Sequence, residues 1–346
     1  MSSFSIGNRQ VGLDYPPLII AEIGINHGGD ISVALEMAKA AIDAGAEVIK
    51  HQTHIPEDEM SSEAKLVIPG NSDRSIYEII EECALSEEDE FALMNYVKGR
   101  GAIFISTPFS RAAVDRISRM DLPAIKIGSG ECNNYPLVKL VAKLGKPVIL
   151  STGMNTIESI RPSVNILEEH GVPYVLLHCT NLYPTPADLI RLDAIKELQD
   201  NFPRAILGLS DHSTSNYPAL ASIALGARVL ERHFTDSYTR VGPDINCSMD
   251  PDQLRELLTG SRTIFQALGG SKRPAEEEGV TIAFAFASVV SIKPIKAGET
   301  LSMENIWVKR PSGGDFLARD FESLLGATAK TDIPANVQLK ISQVNK

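Results

Sequence analysis

Residues 205–212 read Ala-Ile-Leu-Gly-Leu-Ser-Asp-His, and residues 228–233 read Arg-Val-Leu-Glu-Arg-His. Each stretch is an apolar run that ends in a histidine. Residues 216–226 between them are alanine-rich and end at a glycine, so the pattern predicts strand, helix, strand. The carboxyl ends of neighbouring parallel strands lie close together on the face where active sites form. His212 and His233 can therefore meet there and hold one divalent ion, or they can be two unrelated strand-end histidines.

The same alternation runs through the first 268 residues, after a predicted hairpin over residues 4–14. Eight apolar runs of strand length alternate with helical segments, at residues 17–22, 47–52, 102–106, 123–128, 147–151, 174–178, 205–212 and 228–233. Strands that are apolar throughout are typical of parallel sheets covered on both faces. The pattern predicts an α/β fold with a closed (β/α)8 TIM barrel. An open doubly wound sheet is the alternative, and the lack of a G-x-G-x-x-G fingerprint after the first strand disfavours it.

The character of the chain changes near Leu268. Residues 269–282 are polar and contain several glycines and charges, which predicts a linker between a barrel domain at 1–268 and a small module at 283–346. The small module contains short β-like pieces separated by lysine- and glycine-containing turns. A module of this size is small for an independent core, so we expect it to dock on another surface.

Composition excludes several classes of protein. The formal net charge of −11 leaves no basic footprint for nucleic acid or for an anionic membrane. No apolar run approaches the roughly 20 residues that span a bilayer, and no signal-peptide pattern opens the chain. The four cysteines form no C-x-x-C pair, which fits a reducing compartment. We therefore expect a cytoplasmic protein with neither nucleic acid nor membrane as a partner.

Polar residues stand at or just after every predicted strand end. Lys50 and Lys126 are the most informative, because a charge inside an apolar strand must be compensated. Each can pair with a carboxylate such as Glu131 or Glu231, or face an anionic substrate. A Schiff-base lysine is a further interpretation. Hydroxyl groups at the same strand ends favour a phosphate and carboxylate pocket; they belong to Thr107, Ser129, Ser151 and Ser210.

Many of these stretches resemble the sialic acid synthase family, and most closely its bacterial N-acetylneuraminate synthases. The matching motifs are AEIGINH (21–27), IKHQTH (49–54), FISTPF (104–109), KIGSGECN (126–133), LSTGM (150–154), HCTNLYPTP (178–186), GLSDH (208–212) and ERHFT (231–235). Residues 306–311, IWVKRP, resemble the antifreeze-like (SAF) module of the same family. The resemblance covers nearly the whole chain, and the motifs follow in the family's order.

The resemblance implies a barrel followed by a small, mostly β antifreeze-like domain. It implies condensation of phosphoenolpyruvate with N-acetylmannosamine and water to give N-acetylneuraminate and phosphate. It also implies a divalent ion, usually manganese, with magnesium or cobalt as alternatives. Finally, it implies a domain-swapped homodimer in which the small domain of one chain covers the barrel mouth of the other.

The resemblance also assigns roles to individual residues. His212 and His233 match the metal ligands, and Glu22 matches an acid/base carboxylate. The residues matching the phosphoenolpyruvate pocket are Lys50, Thr107, Lys126, Ser129, Ser151, Asn181 and Ser210. Those matching the sugar pocket are Gln52, Asn71, Tyr183 and Asp244, with Phe284 and Arg310 from the partner chain. Glu131 is counted with the substrate-binding residues because it follows Lys126 at the same strand end.

Three alternatives remain open at this stage. The same enzyme can act on a 2,4-diacetamido-trideoxyhexose and make a legionaminic-type nonulosonate. A Schiff-base aldolase would use Lys126 with pyruvate and no metal. A carbohydrate- or ice-binding protein would act through its C-terminal module, but the polar residues at all the barrel strand ends count against that.

Overall fold

The computed structural model describes residues 3–69 and 73–345. The chain divides into two compact units, Met1–Gly269 and Gly270–Lys346. Each unit has its own cluster of buried apolar side chains. No helix in the described part of the chain is both long enough and apolar enough to cross a bilayer.

An antiparallel hairpin opens the first unit, as the sequence predicts. Its strands are β1 (Ser3–Ile6) and β2 (Arg9–Gly12), joined by a turn in which Gly7 has a φ of 59°. Ile6 and Val11 pack against Leu18 and Val48, at the amino-terminal ends of two barrel strands. The hairpin therefore closes the amino-terminal end of the barrel and leaves the carboxyl end for chemistry.

A closed barrel of eight parallel strands follows, which confirms the predicted fold. Going round the barrel, the strands are β3 (Leu18–Gly24), β4 (Val48–Thr53), β5 (Ile103–Pro108), β6 (Ile125–Ile127), β7 (Val148–Ser151), β8 (Tyr174–Cys179), β9 (Ile206–Asp211) and β10 (Val229–His233). β10 closes the ring by pairing with β3. The strands are buried on both faces, since side chains fill the barrel interior and helices cover its outside.

The helices of the first unit are α1 (Ile31–Asp43), α2 (Pro56–Glu59), α3 (Ile76–Cys83), α4 (Glu87–Gly99), α5 (Arg111–Arg119), α6 (Tyr135–Ala142), α7 (Ile157–Glu169), α8 (Ala194–Asn201), α9 (Tyr217–Ala224) and α10 (Pro251–Ala267). Side-chain caps begin several of them; Asp30, for example, accepts the Ser32 backbone N–H at the start of α1. The long excursion between β4 and α4 contains α2 and α3.

The register of the barrel strands places polar residues side by side at the carboxyl end. Glu22 pairs in register with Lys50 on β4 and with His233 on β10. Asp211 on β9 pairs with Arg232 on β10. Because side chains alternate between the two faces of a strand, Arg232 and His233 point to opposite sides of the sheet.

The second unit is built from short elements. Its helices are α11 (Gly279–Ala285) and α12 (Phe321–Leu324), and its strands are β11 (Ser288–Ser291), β12 (Ile306–Lys309), β13 (Thr328–Ala329) and β14 (Val344–Asn345). β11 pairs with β12 and β13 with β14, both antiparallel. Side chains such as Val289, Leu301 and Leu324 form its core. Helix α11 overlaps the segment predicted as a linker, and none of its residues is buried.

Candidate active site

A cavity of about 470 Å³ opens at the carboxyl ends of the barrel strands. Most of the predicted site residues of the barrel line it together: Glu22, Lys50, Gln52, Thr107, Lys126, Ser129, Ser151, Asn181, Tyr183, Ser210, His212 and His233. The cavity lies within the first unit.

The remaining predicted residues lie elsewhere. Asp244 stands beside the cavity, with its Oδ2 3.5 Å from Nδ1 of His233. Glu131 accepts a hydrogen bond from Nδ2 of Asn134 at 2.6 Å and does not line the cavity. Phe284 and Arg310 belong to the second unit and are exposed. Asn71 lies outside the described residues.

Sequence reasoning did not place the cavity residues Phe109 and Cys179 in the site, and it named Glu231 only as a possible partner of the lysines. The two-residue period of a strand gives the missing signal, because Glu231 stands two residues before His233 and Phe109 two residues after Thr107. Cys179 likewise follows the inward-facing Leu177 at the same interval.

Four buried charges dominate the floor of the cavity. Nζ of Lys50 lies 2.5 Å from Oε1 of Glu22 and 3.7 Å from Oε2 of Glu231. Nζ of Lys126 lies 3.6 Å from Oε1 of Glu231. All four side chains are almost fully buried. The lysines therefore compensate carboxylates, as one interpretation of the sequence had it, but the partners are Glu22 and Glu231 rather than Glu131.

These contacts shift the proton affinities of the group. Burial alone would raise the pKa of Glu22, but the charges of Lys50, His233 and Lys126 outweigh burial and hold that pKa well below its ordinary value. Burial opposes the charge of Lys50, yet Glu22 and Glu231 raise its pKa. Burial lowers the pKa of Lys126, and Lys50 adds to the effect despite the attraction of Glu231. Glu22 is thus a carboxylate and Lys50 an ammonium group.

Hydroxyl groups surround the lysines, and that of Thr107 accepts a hydrogen bond from Lys50. Nζ of Lys50 lies 3.3 Å from Oγ1 of Thr107, and Oγ of Ser210 donates to Oε1 of Glu231 at 3.0 Å. Oγ of Ser151 is buried and has no hydrogen-bond partner within the described residues. A buried hydroxyl without a partner is costly, so its position indicates that a ligand completes the site.

The loop after β7 comes close to this pocket through a glycine. The backbone N–H of Gly153 donates to Oγ of Ser129 at 3.0 Å. A Cβ at position 153 would lie 1.9 Å from Oδ1 of Asn181 and 2.9 Å from Oγ of Ser129. Only glycine allows the backbone and the Asn181 side chain to approach this closely.

The two predicted metal-binding histidines face each other, with ring centroids 5.3 Å apart. Nδ1 of His212 lies 3.0 Å from the carbonyl oxygen of Thr180, an arrangement in which Nδ1–H donates and Nε2 is left free as a ligand. His233 stands between two carboxylates, with Nε2 3.6 Å from Oε2 of Glu22.

The donor set fits a divalent ion. Nδ1 of His233 is buried and makes no hydrogen bond to any described residue. Imidazole nitrogens suit divalent transition metals, and carboxylate and water oxygens suit manganese or magnesium. Across residues 3–69 and 73–345, no three histidine, cysteine, aspartate or glutamate side chains are grouped closely enough to hold a metal by themselves. Water or substrate oxygens would therefore complete the coordination.

A buried ion pair lies behind the two histidines. Nε of Arg232 is 3.7 Å from Oδ2 of Asp211. The same guanidinium donates from Nη1 to Oδ1 of Asn216 at 2.6 Å and from Nη2 to the carbonyl oxygen of Ser213. It therefore fixes the loop that directly follows His212.

Asn26 holds the opposite side of the site. Its Nδ2 donates to the carbonyl oxygen of Phe234 at 3.1 Å and to Oγ of Ser248 at 2.9 Å. Its Oδ1 accepts the backbone N–H of Asp244 at 3.0 Å. This one buried amide joins the loop after β3 to the segment that carries Asp244.

Comparison with known proteins agrees with the motifs. The sequence profile of the NeuB family matches residues 37–273, and that of the SAF domain matches residues 286–345. The chain is 37% identical to the N,N'-diacetyllegionaminic acid synthase of Campylobacter jejuni, over 90% of this chain and 95% of that protein. It is 33% identical to the N-acetylneuraminate-9-phosphate synthase of Mus musculus, over 92% and 90%.

A solved structure shares the architecture. The N-acetylneuraminic acid (sialic acid) synthetase of Leptospira borgpetersenii, crystallised with citrate, superposes with a TM-score of 0.74 at 30% identity. The match covers 81% of this chain and 95% of that one.

Proposed function

The chain belongs to the NeuB family, and on that premise we propose that it joins phosphoenolpyruvate to the aldehyde carbon of an open-chain 2-acetamido sugar. In this reaction C3 of phosphoenolpyruvate forms the new carbon–carbon bond and water adds at C2. The bond between C2 and the phosphate oxygen then breaks and releases phosphate. The product is a nine-carbon 2-keto sugar acid, a nonulosonate.

The observation that carries this proposal is that Lys50, Lys126 and Ser151 line the same cavity, and that the buried hydroxyl of Ser151 has no hydrogen-bond partner among the described residues. Ammonium groups and hydroxyls are the partners that a phosphate and a carboxylate require. When the phosphoenolpyruvate trianion binds, it would replace Glu22 and Glu231 as the partner of the two lysines. Gly153 and Asn181 shape the wall against which this anion would sit.

The sugar is assigned to the side of the cavity formed by Gln52, Tyr183 and Asp244. Tyr183 stacks on His212 with ring centroids 4.1 Å apart, so it presents an apolar face next to polar groups. Glu22 lies between Lys50 and His233, at the junction of the two substrate regions. We assign it the movement of protons to or from the attacking water or the sugar hydroxyls.

For the metal, we propose that His212 and His233 hold one divalent ion, with manganese as first choice and magnesium or cobalt as alternatives. The chemistry that such an ion supplies is polarisation of the aldehyde oxygen of the sugar. The protein's own part is to fix the directions of the two imidazoles.

N-Acetylmannosamine is our first choice of sugar, which makes the product N-acetylneuraminate. A 2,4-diacetamido-trideoxyhexose is the second candidate. It is favoured by the higher identity to the relative named as an N,N'-diacetyllegionaminic acid synthase, 37% against 33% for the mouse protein. The two sugars differ at C4 and C6, so they need different partners at the mouth of the site.

The test is release of inorganic phosphate from phosphoenolpyruvate with each sugar, with mass spectrometry of the product. We expect release that requires both a sugar and a divalent ion, and that a chelator abolishes. Faster turnover of the diacetamido sugar would identify the second candidate. No release with any hexosamine in the presence of manganese would overturn the proposal.

We further propose a domain-swapped homodimer, in which Phe284 and Arg310 reach the barrel of the partner chain. Helix α11 supports this, because Val280 and Phe284 on it are 78% and 57% exposed. An apolar helix without a covering surface is typical of a protein contact.

Complementation tests the swap. Arg310→Ala and Lys126→Met are each expected to have strongly reduced activity, but a heterodimer of the two has one fully wild-type site if the residues come from different chains. Recovered activity in purified, co-expressed heterodimers is the expected result. Absence of recovery would mean that Arg310 serves its own barrel or serves none.

A further inference from the structure

We infer that His54 is a positioning residue: it fixes the orientation of the Gln52 carboxamide, so that this side chain turns an N–H toward Glu22 and the sugar. The inference deepens the proposed function and rests on it for the identity of the ligand. It concerns the hydrogen-bonded chain that runs from Glu59 through His54 and Gln52 to Glu22.

The chain of contacts is continuous. Nε2 of Gln52 donates to Oε1 of Glu22 at 2.6 Å. At the other end of the same amide, Oε1 of Gln52 lies 2.9 Å from Nε2 of His54. Gln52 lines the cavity, whereas His54 is 3% exposed and does not. His54 therefore reaches a ligand through the hydrogen bond to Gln52, and its ring also packs against Phe109, which lines the cavity.

The orientation of a glutamine amide depends on its partners, because its oxygen and nitrogen have nearly the same shape. Glu22 is a carboxylate and can only accept, so the amide nitrogen must face it. The amide oxygen then faces His54, which must donate from Nε2. Glu22 and His54 thus favour the same orientation from opposite ends of the amide, and without the His54 donor only the contact with Glu22 opposes the flipped one.

His54 itself contacts three side chains: Gln52, Glu59 and Phe109. Its Nδ1 lies 2.8 Å from Oε2 of Glu59, the last residue of α2. Its ring stacks on Phe109 with centroids 4.3 Å apart and planes inclined by 13°. Helix α2 is tied in turn to α5, because Oδ2 of Asp58 accepts the backbone N–H of Ala112 at 2.7 Å.

This support identifies what the sugar must offer. The second N–H of Gln52 would suit a ligand oxygen that accepts, such as a hydroxyl or an acetamido carbonyl. An error in the placement of a substrate-contacting group reduces turnover even when the chemical groups are intact. Loss of the His54 imidazole should therefore raise the KM for the sugar and leave the KM for phosphoenolpyruvate nearly unchanged.

Two substitutions separate positioning from packing. His54→Phe keeps an aromatic ring against Phe109 but removes both nitrogens. His54→Gln loses the ring but puts an amide nitrogen where Nε2 of His54 was. We expect His54→Phe to raise the KM for the sugar about tenfold, with the KM for phosphoenolpyruvate within about twofold of wild type. We expect His54→Gln to recover most of the loss.

Further variants control for indirect effects. Glu57→Gln, on the exposed side of α2, should leave both KM values unchanged. In a Gln52→Leu background, His54→Phe should add nothing, because the hydrogen-bonded route to the sugar has been removed and the ring contact with Phe109 is kept. Glu59→Leu removes the hydrogen-bond partner of His54 but keeps His54 itself, so it replaces His54→Phe as the test variant if that protein does not fold. We expect it to raise the KM for the sugar by a smaller factor than His54→Phe does.

A second readout does not depend on activity. With ¹⁵N-glutamine labelling, the side-chain amide signal of Gln52 can be identified by its loss in Gln52→Leu. We expect that signal to be perturbed in His54→Phe and near its wild-type position in His54→Gln. An inactive wild-type protein with this pattern would refute the proposed function and leave the positioning role standing. An unchanged amide signal and unchanged sugar KM in His54→Phe would refute the positioning role.

Discussion

Asp211 and Arg232 stand opposite each other on β9 and β10, with Oδ2 and Nε 3.7 Å apart and almost no exposure. Each directly precedes one of the two facing histidines, His212 and His233. Because neighbouring residues of a strand point to opposite faces, the ion pair lies outside the barrel wall while the imidazoles lie inside it. The pair therefore fixes the spacing of the two strand ends that carry the proposed metal ligands.

We predict that Arg232→Met weakens manganese binding about 10- to 100-fold, the range for loss of groups that orient metal ligands. Isothermal titration calorimetry of the purified protein measures the change. Asp211 would be left buried without its partner, which costs about 3–5 kcal/mol of stability, so Asp211→Asn is added if the single variant is unstable. Arg228→Met is the matched control, at the other end of the same strand. An unchanged affinity in the Arg232 variant would refute the positioning role of the pair.

Replacing a proposed ligand should have a larger effect than replacing its support. We predict that His212→Ala and His233→Ala each abolish measurable manganese binding and phosphate release, while circular dichroism shows a folded barrel. Metal content after dialysis is the direct measurement. Full activity of a metal-depleted His233→Ala protein would exclude His233 as a ligand.

Lys126→Met should raise the KM for phosphoenolpyruvate and lower kcat. Loss of a hydrogen bond to a charged group costs about 1.5–3 kcal/mol, or about 10- to 100-fold in kcat/KM. Steady-state kinetics with varied phosphoenolpyruvate measures this. Borohydride trapping of wild-type protein with pyruvate is the opposing result, since it would indicate a Schiff base on the lysine.

Gly153→Ala should impair phosphoenolpyruvate binding, because the new Cβ would overlap Oδ1 of Asn181. Gly130→Ala is the control: Gly130 also lines the cavity, and a Cβ there meets nothing within 4 Å. We expect the KM for phosphoenolpyruvate to rise at least about tenfold in the first variant, equivalent to about 1.4 kcal/mol, and to change little in the second. Equal KM values in the two variants would contradict the close approach described here.

Glu90 on α4 gives a pH-dependent prediction. It is fully buried, accepts hydrogen bonds from Thr53 and Arg116, and burial raises its pKa to about 7. A carboxyl with a raised folded-state pKa binds more protons when folded, so its contribution to stability is present at low pH. That contribution is lost as the pH rises from the unfolded-state value through about 7.

The measurement is urea unfolding at pH 5 and pH 8. Between these values the free energy of unfolding should fall by about 2–3 kcal/mol more in the wild type than in Glu90→Gln. The glutamine variant keeps the shape of the side chain and cannot titrate. If the free energies of unfolding of the two proteins changed equally between pH 5 and pH 8, Glu90 would not be the source of the pH-dependent stability.

The barrel could be predicted from sequence because its strands are apolar throughout and are separated by regular helical segments. The lysines inside those strands led to the prediction of an anion pocket by the same logic. Glu231 was read as a compensating charge only, because a sequence does not say which of several carboxylates a lysine meets. The contact between His54 and Glu59 depends on how a short helix folds back after β4, and no periodic pattern encodes that. Asp211 and Arg232 are adjacent only through strand register.

The ion pairs of Lys50 and Lys126 also bear on the ligand-free state of the protein. Each of the four buried charges on the cavity floor has an opposite charge within 3.7 Å, so the two lysines and the two glutamates together carry no net charge when no ligand is bound. The protein can therefore be synthesised and stored while phosphoenolpyruvate is scarce, without a bound anion to keep its interior intact. An inhibitor designed on negative charge alone must displace partners already in place.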